Sequence, residues 1–116
     1  MIKDFAKWVK EQLKKGVPEE VKAFNFNLYE SDEETEFDIQ LVGCPQFDAD
    51  NDDWACDEIF SSGEDLFRFK AEDWEKAEIE AQKIIMTYLE SDNCDEVFKG
   101  KHIAYGFVDG DLHLIR

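Results

Sequence analysis

The carboxyl-terminal stretch places the strongest constraint on the fold, because it specifies a tight turn between two segments of alternating apolar residues. Residues 103–108 read Ile-Ala-Tyr-Gly-Phe-Val, and after Asp109 and Gly110 residues 111–116 read Asp-Leu-His-Leu-Ile-Arg. Asp-Gly in this setting favours a β-hairpin with a type I′ two-residue loop. That turn fixes the register of the two strands. The expected pairs are Val108 with Asp111, Phe107 with Leu112, Gly106 with His113, Tyr105 with Leu114 and Ala104 with Ile115.

An alternating pattern near the amino end predicts a second hairpin. Phe24, Phe26 and Leu28 alternate with Asn25, Asn27 and Tyr29, and after a turn at residues 31–34 the apolar positions are Phe37, Ile39 and Leu41. A period of two predicts strands with one buried and one polar face. Gly43 and Pro45 end the second strand, since proline cannot donate to a ladder. Residues 59–62 and 66–69 are candidates for two shorter strands.

Two segments with helical spacing complete the pattern. The first has apolar residues at positions 2, 5, 9 and 13 and ends near Lys15, because Gly16 suits a left-handed cap and Pro18 stops continuation. Its lysines form a separate face, which is predicted to be solvated. The second helix spans about 71–91, and its apolar face contains Trp74, Ala77, Ala81, Ile84, Ile85 and either Tyr88 or Leu89. The sequence therefore predicts a single α+β domain over residues 1–116, with two main helices on one face of an antiparallel sheet of four to six strands.

Composition sets the class of protein. With 116 residues and 43% hydrophobic content the chain is long and apolar enough for one core, despite a net charge of −16. Residues 1–16 carry five lysines against two acids, a balance of +3, so residues 17–116 carry −19. Such acidity repels phosphates, which disfavours nucleic-acid binding, and no apolar run is long enough for a membrane helix. We expect a cytoplasmic protein with free thiols at Cys44, Cys56 and Cys94, a Cys44–Cys56 disulfide being the alternative.

The acidic loop, residues 47–58, is the best candidate for a functional surface. It contains six acidic residues, no basic one and an aromatic residue near each end. Carboxylates around aromatic anchors are typical of an interface for a basic protein. Trp54 is open to two readings, core or interface, whereas Phe47 is expected in the core. The predicted partner-binding residues are Phe47, Asp48, Asp50, Asp52, Asp53, Trp54, Asp57 and Glu58.

Other chemistries have weaker support. Asp48, Asp50 and Asp52 occupy positions 1, 3 and 5 of an EF-hand register, but position 6 is Asp53 instead of glycine and position 12 is Ile59 instead of glutamate. A divalent-cation site in the Asp48–Asp53 loop is the alternative function. No cysteine or histidine pair has zinc-site spacing, and only Cys94 with His102 suggests a nucleophilic pair. We therefore predict a non-enzymatic protein with no catalytic residues, no metal ligands and no cofactor.

The closing Tyr-Gly-Phe-Val-Asp-Gly-Asp-Leu stretch, the acidic aromatic loop, the small size and the α+β organisation together carry a resemblance. In these features the chain resembles the small, mostly uncharacterised bacterial proteins that include the immunity proteins of toxin systems. The resemblance implies binding and blocking of a cognate toxin, often a basic nuclease, in the cytoplasm. It implies no functional residues, and a small bacterial domain without a ligand remains the other reading.

Overall fold

The alternating residues near the amino end form the centre of the sheet in the computed structural model, which describes residues 2–116. Strand β1 (Ala23–Glu30) pairs antiparallel with β2 (Glu36–Cys44), from Ala23 opposite Cys44 to Glu30 opposite Phe37. The predicted hairpin and its faces are confirmed. One face buries the apolar residues Phe24, Phe26, Leu28, Phe37, Ile39 and Leu41.

Four further strands extend this hairpin into a six-stranded sheet, and they are β3 (Phe60–Ser61), β4 (Phe67–Lys70), β5 (His102–Phe107) and β6 (His113–Leu114). The strand order is β3-β2-β1-β5-β6, while β4 pairs with the other end of β2. All pairings are antiparallel except that of β1 with β5, which is parallel. A parallel pair requires a crossover, and the long helix between β4 and β5 lies within it.

Two helices cover one face of the sheet. Helix α1 (Ile2–Leu13) buries Phe5, Trp8 and Val9, leaves its lysines exposed, and is followed by Gly16 in the left-handed region with φ +92°. Helix α2 (Trp74–Glu90) begins where the side chain of Asp73 accepts a hydrogen bond from the Lys76 N–H. Together these elements confirm the predicted α+β fold. Neither helix of the described residues is long and apolar enough to cross a membrane.

The carboxyl-terminal hairpin differs from its prediction. Tyr105 lies opposite His113 and Ala104 opposite Leu114, so the register is shifted by one residue. Neither Asp109 nor Gly110 has the positive φ that a type I′ turn requires. The Gly110 N–H instead donates to the Phe107 carbonyl, closing the turn earlier in the chain.

The absence of a side chain at Gly106 allows the segment after the turn to pass close over β5. A Cβ on Gly106 would lie 2.5 Å from the Asp111 carbonyl oxygen, so only glycine admits this crossing. Because a slip of one residue exchanges the two faces of a strand, Leu112 packs on the face away from the helices and Leu114 is 52% exposed. Leu112 and Leu114 therefore lie on the face away from the helices, and the centroid of the His113 ring lies 5.1 Å from that of Tyr105.

The face away from the helices has a small apolar cluster of its own. Ala23, Val42, Cys44 and Ala104 are fully buried there, and Trp54 packs on them. Beyond this cluster the same face is polar. The Asn27 amide and the Tyr29 hydroxyl both donate to the Gln40 Oε1, at 3.1 and 2.9 Å. The sheet is thus covered by helices on one side and partly by the acidic loop on the other.

Candidate partner-binding site on the acidic loop

Local hydrogen bonds give the acidic loop a defined conformation. The Asp48 carboxylate accepts from the Asp50 N–H at 2.9 Å, and the Asn51 side chain accepts from the Asp53 N–H at 3.0 Å. Short polar side chains of this kind stabilise turns and helix starts. Asn51 caps a short 3-10 helix, Asp52–Cys56. The loop is tied back to the sheet where the Ile59 N–H donates to the Gly43 carbonyl at 2.8 Å.

Trp54 anchors the loop to the sheet. It is 6% exposed and packs on the cluster of Ala23, Val42, Cys44 and Ala104. Of the two readings that the sequence left open, the structure therefore shows the core position. The ring cannot serve as an exposed anchor for a partner while the loop keeps this conformation.

Phe47 lies between the buried Trp54 ring and the protein surface. It is half-buried, with its ring centroid 5.3 Å from that of Trp54. Its other contact is a parallel stack on His102 of β5, with centroids 3.7 Å apart and an interplanar angle of 8°. The stack joins the loop to the first residue of a central strand. Phe47 is thus the aromatic residue of the loop that also borders solvent.

The six carboxylates of the loop are all exposed, and none of them forms an ion pair with a basic side chain of residues 2–116. Their field acts on the sheet below. Burial, followed by the nearby charges of Glu58 and Asp57, raises the pKa of the Cys44 thiol to about 12. The loop therefore presents its negative charge to solvent without a salt bridge to any basic side chain of residues 2–116.

A groove of about 730 Å³ runs beside the loop. Phe47, Asp53 and Asp57 of the loop line the groove, and so do Lys22 and Lys101 from the segments that precede β1 and β5. The Lys101 ammonium donates to the Val21 carbonyl at 2.8 Å, which holds it at the end of β1. The groove therefore contains both loop carboxylates and two lysines, and no salt bridge joins them.

The structure does not assemble the other candidate chemistries. No group of three or more histidine, cysteine, aspartate or glutamate side chains converges as a metal site anywhere in residues 2–116. Cys94 and His102 line different concavities, and burial raises the pKa of the Cys94 thiol, which opposes its activation as a nucleophile. Cys44, Cys56 and Cys94 are free thiols.

Sequence reasoning missed an exposed aromatic residue. Trp74 was expected on the apolar face of α2, yet it is 52% exposed at the first residue of the helix. Its neighbours Glu72, Asp73 and Glu75 were the available signal, because a helix start rich in acids normally lies at the surface. The exposed tryptophan among carboxylates is thus Trp74, whereas Trp54 of the acidic loop is buried.

Comparisons with known proteins identify no relative, since no family model, curated protein or solved structure matches the chain. The function is therefore inferred from the fold and from the charges of its surface.

Proposed function

We propose that the chain is a non-enzymatic, acidic protein-binding module whose acidic loop docks a basic protein. The observation that carries the proposal is the set of six exposed carboxylates, held on an ordered loop and unpaired by basic side chains of the described residues. Neutralisation of a basic toxin in the cytoplasm, as an immunity protein performs it, is the most concrete form of this function.

The energetics of the loop support this role. Two carboxylates about 6 Å apart in water repel each other by roughly 0.7 kcal/mol, so six of them together oppose an ordered loop by a few kcal/mol. Burial of a tryptophan contributes an opposing term of about 3 to 5 kcal/mol. Trp54 can therefore hold the loop in place although its charges repel. A basic partner would remove that repulsion, which favours binding and accelerates association.

The test compares two triple variants with equal changes in net charge. In the loop variant, Asp50, Asp52 and Asp57 become asparagine; none of the three side chains forms a hydrogen bond or an ion pair in the described structure. In the control, exposed acids away from the loop are neutralised, namely Glu11→Gln, Glu64→Gln and Asp92→Asn.

Association with the product of the neighbouring gene is measured by surface plasmon resonance at low salt. We expect the loop variant to associate on the order of tenfold more slowly than the wild type, because steering depends on charge near the interface. The control should change the rate much less. Equal rates for the two variants would exclude the loop as the docking surface, and a neighbouring product that does not bind at low salt would remove the proposal.

A further inference from the structure

Apart from the acidic loop, the chain has an exposed apolar surface at the start of α2. Trp74 and Ile79 are 52% and 53% exposed, and both line a concavity of about 300 Å³ together with Tyr105 and His113. We call the surface around these four residues the Trp74 surface. β6 is an edge strand, so the surface adjoins a sheet edge that no strand of residues 2–116 covers.

The surroundings of Trp74 are acidic throughout. Three concavities meet at its side chain, and ten carboxylates from the β1–β2 turn, the start of α2 and the β5–β6 turn line them. No lysine or arginine of the described chain lines any of the three. Within residues 2–116, two of the ten are paired with a basic group: Glu72 with Lys76, and Glu78 with His113 at 3.0 Å.

We propose that the Trp74 surface binds an arginine side chain presented by a basic protein. A guanidinium stacks on an indole face by cation–π attraction and donates to carboxylates at the ring edge, so the tryptophan and its acids recognise one group together. The positive end of α2 opposes a cation by only about half a charge. Glu72, Asp73 and Glu75 outweigh that half charge. A second copy of this chain is a poor occupant, because its net charge of −16 repels an acidic surface.

The Trp74 surface and the acidic loop lie at opposite ends of the sheet. The loop covers the end where Ala23 pairs with Cys44 and His102, whereas Trp74 borders Glu30 and Phe107 at the other end. β1 spans about 23 Å between them at roughly 3.3 Å per residue. The inference takes its class of partner, a basic protein, from the proposed function. It places the arginine of that partner on a separate surface.

The test measures binding of a dye-labelled hexa-arginine peptide by fluorescence anisotropy. Trp74→Ala leaves the net charge unchanged, so it removes the ring contact and not the general attraction of an acidic protein. We expect the dissociation constant to rise about two- to five-fold, the range for an exposed cation–π contact. Leu114→Ala, at a position with the same 52% exposure on the other face of β6, should not change it.

Tryptophan emission provides the second readout. Trp8 and Trp54 are 7% and 6% exposed, so peptide binding at Trp74 should shift the wild-type emission to the blue and leave Trp74→Ala unchanged. Unchanged affinity in Trp74→Ala, or an unshifted wild-type emission, would overturn the inference. So would a change in oligomeric state in Trp74→Ala, because the occupant would then be a second copy.

The loop variant separates the two proposals. If the loop variant weakens hexa-arginine binding and Trp74→Ala does not, the Trp74 inference fails while the proposed function of the loop stands. If Trp74→Ala weakens peptide binding but the loop variant associates with the neighbouring product as fast as its control, the loop proposal fails and the Trp74 surface stands.

Discussion

Replacing Trp54 by alanine removes the side chain that joins the acidic loop to the sheet. The indole is 6% exposed and covers four fully buried residues on the sheet face away from the helices. Truncation of a buried tryptophan typically costs about 3 to 5 kcal/mol, and the lower end applies here because the loop can partly collapse onto the vacated space. With an unfolding entropy of about 2.1 cal/mol/K per residue, a loss of about 3 kcal/mol lowers the melting temperature by roughly 12 °C.

Urea unfolding followed by far-UV circular dichroism measures this loss. The matched control is Trp74→Ala, because Trp74 is 52% exposed and its truncation should change the free energy of unfolding by no more than about 0.5 kcal/mol. Similar stabilities for the two variants, or a loss below about 1 kcal/mol for Trp54→Ala, would refute the conclusion that Trp54 anchors the loop.

Two further predictions concern Gly106 and the alkaline limit of stability. Gly106→Ala places a Cβ 2.5 Å from the Asp111 carbonyl oxygen and should destabilise the fold by about 1 to 3 kcal/mol. The control Gly110→Ala should be tolerated, because its Cβ would lie 3.6 Å from the nearest atom. Thermal unfolding of the two variants measures the difference. Burial raises the pKa of Cys44 from 9.0 to about 12, so the unfolded chain releases this proton first and the free energy of unfolding should fall as the pH rises above about 9. Urea titrations at several pH values should show a shallower fall in Cys44→Ala; an equal fall would contradict the assignment.

Most of the secondary structure could be predicted because it depends on local patterns. The alternation around Phe26 and Ile39 gave strands, and the helical spacing from Phe5 to Leu13 gave α1, since each pattern is set by neighbours in sequence. The carboxyl-terminal register could not be predicted from the Asp-Gly turn. In the observed register the Asp111 backbone passes close to Gly106, and this packing between distant parts of the hairpin exists only in the folded sheet.

The candidate site was predictable in its charge but not in its aromatic residues. All six carboxylates of the loop are exposed, as a charged loop is expected to be. Whether Trp54 turns inward depends on an uncovered sheet face built from Ala23, Val42 and Ala104, residues distant in sequence. Trp74 has helical spacing typical of a core residue, but it stands at the first position of α2, where the helix begins beside the sheet edge.

The parallel pairing of β1 with β5 has a consequence for the order of folding. β1 and β2 are joined by a short turn and can pair at a small loop-closure cost, whereas pairing of Ala23 with His102 closes a much longer loop and is expected later. Until β5 arrives, one edge of β1 exposes unpaired backbone amides and carbonyls, a template for strands of other molecules. A chain cleaved after α2 should therefore aggregate through β1, because pairing with β5 is what covers this edge of β1 in the folded chain.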